Sequence, residues 1–316
     1  MRIHRDQVGL PAAARGASVA IGNFDGVHRG HREVVRVAAE HARRLGRPLG
    51  VVTFEPHPRE LLNPAAAPAR LTSLRRKAEL MRALGVEQLH VLRFDERLMH
   101  MSAESFVEEL LLDRLAVAAV TTGRDFRFGH RRQGDTAILA QLAGACGVAV
   151  STVEPVSVEG ETCSSTAIRA ALADGRIEHA TALLGYSYEI EGVVRPGDQR
   201  GRTIGFPTAN VHPLTRRPML PAIGVYAVRA GLCRDGELRW LPAVANLGRR
   251  PTFHGRGILL EVHLLEGGCD LYGQRLRVAL VERLRGEQKF AGIDELRAQI
   301  ARDCARARAI HALIPA

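Results

Sequence analysis

Two histidines three residues apart, His28 and His31, stand in the run GNFDGVHRGH (Gly22–His31). A short apolar run, ASVAIG, leads into it, and a helical pattern, HREVVRVAAEHARRLG, follows. Glycines at 22, 26 and 30 let backbone approach a bound nucleotide, and a helix start adds free N–H groups and a positive dipole end. Imidazoles spaced by three at that start share a face, so both can meet one phosphate chain and stabilise charge building on it. For an isolated HxxH pair, a glycine turn with two surface histidines would be the simpler reading; strand, glycines and helix together favour the phosphate site. A zinc site of His28, His31 and His57 lacks an arranged cysteine or carboxylate.

Three further motifs in the first half fall at strand or helix ends. TFEPHP (Thr53–Pro58) places His57 in a proline-fixed loop, either a rigid turn or a second group for the same crevice. GRDFRFGHRRQGD (Gly123–Asp135) offers Asp125 for a ribose or ribityl hydroxyl or for a metal, and arginines 127, 131 and 132 for phosphates; a solvated basic loop is the alternative for the last two. CSSTAIR (Cys163–Arg169) puts Ser164, Ser165 and Thr166 at a helix start with Arg169 one turn later, a phosphate cradle or an ordinary N-cap. In the second half, GRTIGFPTAN (Gly201–Asn210) brings Thr208 and Asn210 to one side of an extended segment. Their hydroxyl and amide oxygens suit Mg²⁺ carrying ATP phosphates, and a structural turn fits equally well. Glu261 interrupts the apolar LLEVHLL; a carboxylate buried there is either a general base with a raised pKa or half of an ion pair with an arginine.

Strand and helix patterns alternate through the first 180 or so residues, implying a doubly wound parallel sheet. SAESFVEELLLDRL reads as a helix with a Ser102 cap and a capping-box glutamate. The uncharged run TAILAQLAGACGVAVSTV reads as short helix, turn and strand rather than a membrane span. After about residue 186, short strand candidates separated by Gly and Pro imply a small antiparallel barrel or sandwich, closed by a helical pattern from Ile293. The boundary falls near Leu184–Ser187, giving domains 1–185 and 186–316.

Bulk composition narrows the classes. With 316 residues, 46% hydrophobic and 25% charged, the chain has ordinary globular proportions and length for two domains. The net charge of +10 rests on 44 basic residues, of which all but Lys77 and Lys289 are arginine, spread without a run of five. That skew, with aromatics at 4%, argues for genomic bias and against a nucleic-acid surface. Five scattered cysteines without a CxxC pair fit a reducing cytoplasm, and the N-terminus lacks an apolar signal core.

GNFDGVHRGH, TFEPHP, GRDFRFG and SSTAIR, followed in order by GRTIGFPTAN, PTF, LEVHLL, DLYG and LRGEQKF, resemble the prokaryotic bifunctional riboflavin kinase/FAD synthetases over nearly the whole chain. The resemblance implies an α/β Rossmann-like nucleotidyltransferase domain, then an antiparallel β-barrel kinase domain with a C-terminal helix. It implies phosphorylation of riboflavin to FMN and adenylylation of FMN to FAD with pyrophosphate release, with ATP as co-substrate and Mg²⁺ as cofactor. By it, Gly22, Phe24, Asp25, Gly26, Gly30, His57 and Asp125 bind nucleotide or flavin, and His28 and His31 hold ATP phosphates. Ser164, Ser165, Thr166 and Arg169 hold the triphosphate. Gly201, Thr208 and Asn210 bind Mg–ATP, and Glu261 takes the proton of the ribityl 5′-hydroxyl. Riboflavin, FMN, FAD, ATP, ADP and pyrophosphate are the implied partners, with no nucleic acid and no membrane, for a monomer or weak homo-oligomer. After HLL the family pattern has an Asp-Phe pair; here Glu266–Gly267 follow, and Cys269 precedes DLYG, which bears on kinase efficiency. The competing readings are a chain with one active module, a nucleic-acid-binding protein and a non-catalytic flavin binder.

Overall fold

The computed structural model describes residues 1–5, 9–197, 201, 204–234, 237–252, 255–266 and 271–313. The chain divides into two compact units, Met1–Ser165 and Thr166–Ala316.

The first unit is built on six parallel strands: β1 (Arg2–His4), β2 (Ser18–Ile21), β3 (Leu49–Glu55), β4 (Gln88–Arg93), β5 (Ala119–Gly123) and β6 (Ala149–Val153), in the order β1-β4-β3-β2-β5-β6. The chain runs outward from β2 through β3 to β4, then returns to lay β5 on the other side of β2. The loops leaving β2 and β5 therefore diverge, which opens a crevice at the carboxyl ends of these strands. Helix α1 (Arg29–Leu45) lies against the sheet through Val34, Val35, Ala38 and Ala42, an apolar stripe at helical spacing, and ends at the left-handed Gly46. Next come α2 (Pro58–Leu62), α3 (Leu74–Ala83), α4 (Glu96–His100) and α5 (Ala103–Ser105). A π-helical segment, Phe106–Arg114, and α6 (Thr136–Ala145) complete the packing; Phe106, Val107, Leu110, Leu111 and Leu139 meet Val19, Ile21, Val52, Phe54, Leu92 and Val120 of the strands. A two-stranded ribbon, β7 (Ser157–Val158) with β8 (Glu161–Thr162), precedes α7 (Ser165–Ala173).

The doubly wound pattern expected from sequence is present, and 136–153 folds as helix, turn and strand. The capping box at Ser102 is a correction. The Ser102 hydroxyl accepts the Ser105 N–H at 3.0 Å, while Glu104 sits only two residues after the cap, too early for the reciprocal bond.

The second unit adds α8 (Ile177–Leu184), stopped by left-handed Gly185. Six antiparallel strands then close a barrel: β9 (Glu189–Arg195), β10 (Ala209–Pro213), β11 (Gly224–Arg234), β12 (Glu237–Thr252), β13 (Gly255–Leu264) and β14 (Arg275–Arg285), in the order β10-β13-β12-β11-β14-β9. Closure leaves no sheet edge to guard. The barrel interior is filled by small and branched residues around Tyr226, among them Val228, Ala230, Ala245, Leu276 and Val278. The final helix, Ile293–Ala312, packs Cys304 and Ala307 onto Val225, Ala227 and Leu284. Its Asp303 carboxylate accepts from Arg285 Nη2 at 2.8 Å and from Gln299 Nε2 at 2.8 Å.

Candidate active sites

The loop Gly22–His28 leaves β2 at the crevice. Phe24 and Val27 both adopt left-handed backbone, with φ of +50° and +41°, and Gly26 lies at φ +89°. Non-glycine residues hold that conformation only where their surroundings enforce it. The enforcement is visible. Asp25, 1% exposed, accepts from the Leu71 and Thr72 backbone N–H groups at 3.0–3.1 Å and from the Thr72 hydroxyl at 3.2 Å. The Gly26 N–H donates to the same threonine oxygen at 3.1 Å. Ser165 Oγ donates to the Asp25 carbonyl at 2.8 Å, bringing the start of α7 to the loop.

His28 is the N-cap of α1; its Nδ1 accepts the His31 N–H at 3.4 Å. The two imidazoles stack with centroids 3.6 Å apart and planes 24° from parallel, and the edge of Phe24 meets His31 at 5.2 Å. Gly30 explains its own identity: a Cβ there would come 3.3 Å from both the Cys163 carbonyl and the His28 ring. The result is a rigid pair of ring donors at the N-terminus of a 17-residue helix.

Beneath this loop lies a buried charge cluster. Arg70 pairs with Glu55 at 2.6 Å and Glu60 at 2.9 Å, and lies 3.9 Å from Asp25. Lys77, on α3, is fully enclosed; its ammonium donates to Asn23 O at 2.9 Å, Thr53 Oγ1 at 3.2 Å and Glu55 Oε1 at 3.2 Å. Burial alone would raise the Glu55 pKa, but Lys77 and Arg70 outweigh it and hold the carboxyl below the usual range.

The barrel carries a different constellation. Asn210 on β10 lies directly across from Glu261 on β13, and Glu261 directly across from Asn246 on β12. Residues paired across strands share a face. Their neighbours Val211, Leu260, Val262, Ala245 and Leu247 are buried, so the Asn210–Glu261–Asn246 row stands on the opposite face of the wall. Asn246 Nδ2 donates to Glu261 Oε2 at 3.4 Å. The sequence reading of Glu261 as a buried carboxylate in an apolar strand is corrected here: it is half-buried between two amides, because the apolar neighbours point the other way. Thr208 lies two residues before Asn210, beside the turn that Phe206 N–H closes on Gly201 O at 2.8 Å; His263 Nδ1 meets Pro207 O at 2.8 Å. Gly201 and Gly197 make room. A Cβ at 201 would stand 3.2 Å from Thr208 Oγ1, and one at 197 would strike the Asn210 amide.

Comparison with known proteins bears on both sites. A profile of the FAD synthetase family matches residues 10–167, and one of the riboflavin kinase family matches 184–311. The protein named bifunctional riboflavin kinase/FMN adenylyltransferase in Escherichia coli K12 is 46% identical over 298 residues, covering 94% of this chain and 93% of that one. Its namesake in Pseudomonas fluorescens is 42% identical, covering 99% and 98%. This chain belongs to the bifunctional riboflavin kinase/FMN adenylyltransferase family. A crystal structure described as a macrolide-efflux protein from Streptococcus pneumoniae shares the architecture, with TM-score 0.85 over 97% of this chain and 98% of that one, at 30% identity. Among the described residues, no helix is long and apolar enough to cross a membrane.

Set against the residues expected for this bifunctional family, the loop gathers Gly22, Phe24, Asp25, Gly26, His28, Gly30, His31 and Ser165 in one place. His57 caps α2, accepting the Arg59 N–H at 3.2 Å, at the end of the strand beside β2. Asp125 is exposed in the turn after β5, and Ser164 is half-buried beside Ser165. Thr166 is exposed and Arg169 half-buried on α7, both in the second unit. Glu266 is exposed, whereas Gly267 and Cys269 lie outside the described residues. Sequence reasoning missed Lys77, Arg70 and an aromatic cluster in the core beneath the strand ends: Phe106 lies 6.4 Å from Phe54 and 5.2 Å from Phe128, and the half-buried Phe126 stacks on Phe128 at 5.5 Å. A signal was available, since Phe54, Phe126 and Phe128 occupy the motifs already singled out.

Proposed function

We propose that this chain makes FAD from riboflavin in two ATP-dependent steps, with residues 186–316 acting as the kinase and 1–185 as the adenylyltransferase. The profile matches at 184–311 and 10–167 support that division. The observation that carries the second activity is the stacked His28–His31 pair at the start of α1, at the point where the strand order reverses. ATP phosphates bind the two imidazoles, the glycine backbone and the helix N-terminus, with Ser164, Ser165, Thr166 and Arg169 on the triphosphate. The flavin ring packs on Phe126, which is half-buried where Phe54, Phe106 and Phe128 belong to the core. The FMN phosphate oxygen attacks the α-phosphorus of ATP in line, the bond to the bridging oxygen breaks, and pyrophosphate leaves. Positioning and stabilisation of the developing charge carry the rate, without a protein nucleophile.

In the kinase, Thr208 and Asn210 present hard oxygen donors beside a glycine-bounded space, which fits Mg²⁺ with ATP phosphates. When bound, Mg²⁺ neutralises charge on the transferring phosphoryl group. Glu261, aligned by Asn246, takes the proton of the ribityl 5′-hydroxyl as its oxygen attacks the γ-phosphorus, and ADP leaves. Both steps belong to a cytoplasmic enzyme working as a monomer or weak homo-oligomer.

Incubating the full chain with riboflavin, ATP and Mg²⁺ and separating the flavins over time tests this reading. FMN is expected first and FAD later, with pyrophosphate released. FAD from added FMN but none from riboflavin would refute the kinase assignment; no product from either flavin would refute both.

A further inference from the structure

Lys77 is one of two lysines in a chain whose other 42 basic residues are arginine. A lysine kept in a fully enclosed position, against that tendency, points to a demand of shape. Its environment states the demand. The ammonium has three protons and three acceptors at 2.9–3.2 Å: the Asn23 carbonyl, the Thr53 hydroxyl and the Glu55 carboxylate. Thr53 and Glu55 are alternate residues of β3 and so share one face of the sheet. Thr53 Oγ1 also donates to Asn23 O at 3.1 Å, giving that carbonyl two donors from beneath. Three carboxylates, Glu55, Asp25 and Glu60, surround the two cations of the cluster, Lys77 and Arg70. A guanidinium is planar, longer and forked, and cannot reach three acceptors disposed around a point.

Asn23 directly precedes Phe24, the first left-handed residue of the phosphate loop. Asp25 fastens the loop just beyond it. The strained turn is thus gripped on both sides, by Lys77 before and by the Leu71–Thr72 backbone after. We propose that Lys77 is a positioning residue for adenylyl transfer: its ammonium holds the Asn23 carbonyl, and through it the turn at Phe24, in the geometry that presents His28 and His31 to the ATP phosphates. This role rests on the adenylyltransferase reading above.

The test uses the full chain and both of its activities. Lys77→Met keeps length and removes the ammonium; Lys77→Arg keeps charge and changes shape; Thr53→Val removes one of the two donors to Asn23 O and leaves the charges in place. FAD formation from FMN and FMN formation from riboflavin are measured on the same preparations, with thermal unfolding followed in parallel. A misplaced catalytic group costs on the order of 10²-fold, so Lys77→Met and Lys77→Arg are expected to lower kcat for FAD formation by about that factor. Their KM for ATP is expected to stay within about 3-fold, since the loss falls on the transition state. Thr53→Val is expected to lose roughly 10-fold in kcat and, because it also takes one of the three acceptors from the Lys77 ammonium, to unfold at a lower temperature while staying folded under assay. Kinase turnover is expected to be unchanged throughout. Full kcat for FAD formation in Lys77→Met or in Thr53→Val overturns the proposal. So does a loss in the Lys77 variants that matches the unfolded fraction. An active wild type with fully active variants refutes only the role of Lys77; a wild type that makes no FAD from FMN refutes the adenylyltransferase reading and this proposal with it.

Discussion

Adding one methyl group at Gly197 tests the kinase site without touching any residue assigned to chemistry. A Cβ there would collide with the Asn210 side-chain nitrogen and stand 2.7 Å from Asn210 Cγ. Carbon atoms in ordinary contact keep about 3.5 Å or more, so the Asn210 amide must move by roughly 1 Å. It is the end of a rotatable side chain, and turning it costs about 1 kcal/mol, which the barrel tolerates. A displacement of that size at a group holding the phosphates costs on the order of 10²-fold in rate. Gly197→Ala is therefore expected to lower kcat for FMN formation by about that factor. FAD formation from FMN on the same preparation serves as the control and is expected to be unchanged. Wild-type kinase turnover in Gly197→Ala would refute the placement of Asn210 at the phosphates. Equal loss of both activities would refute it too, because the substitution would then act through the fold.

Three further outcomes follow from the geometry. Glu261→Gln, which keeps the shape and removes the base, is expected to cost about 10²- to 10⁴-fold in FMN formation while FAD formation from FMN persists; turnover of riboflavin at the wild-type rate would exclude Glu261 as the base. His31→Ala is expected to cut kcat for FAD formation by about 10²- to 10³-fold with the kinase step intact, and unchanged FAD formation would remove the histidine pair from the mechanism. His90, 2% exposed on β4 and stacked at 5.0 Å on His4 of β1, has its pKa pushed by burial, and further by His4, from 6.5 down to about 4. The native state thus holds His90 neutral while the unfolded chain takes up a proton near 6.5; its contribution is complete above that pH and shrinks as pH falls toward 4, by about 2 kcal/mol at pH 5. Urea midpoints at pH 7.5 and pH 5 should fall less in His90→Gln than in wild type, and parallel losses would contradict the assignment.

The alternation of strands and helices, the change to antiparallel strands after about 186 and the glycine-containing loop between β2 and α1 were all legible in the sequence, because each rests on local pattern or spacing. What escaped depends on three-dimensional pairing. The strand Arg2–His4 is three residues long and exists through its pairing with β4, so no periodicity announces it. Glu261 could be read as buried because its flanking residues are apolar; only the register with Asn210 and Asn246 shows that it stands on the wall's other face. The hydrogen bonds from the backbone of residues 71 and 72 to the Asp25 carboxylate join positions forty-six and forty-seven residues apart, which no local pattern announces. Lys77 and Arg70 lie on or beside an amphipathic helix, where a charged residue reads as solvated until the sheet is folded against it.

The enclosure of Lys77 has a practical corollary for anyone attaching a dye or a surface to this protein. The chain's other lysine, Lys289, is exposed. An amine-directed reagent applied to the folded chain therefore meets a single accessible lysine side chain, on the kinase module. Unfolding adds Lys77 as a second lysine site, so the extent of lysine labelling reports whether the adenylyltransferase module is intact.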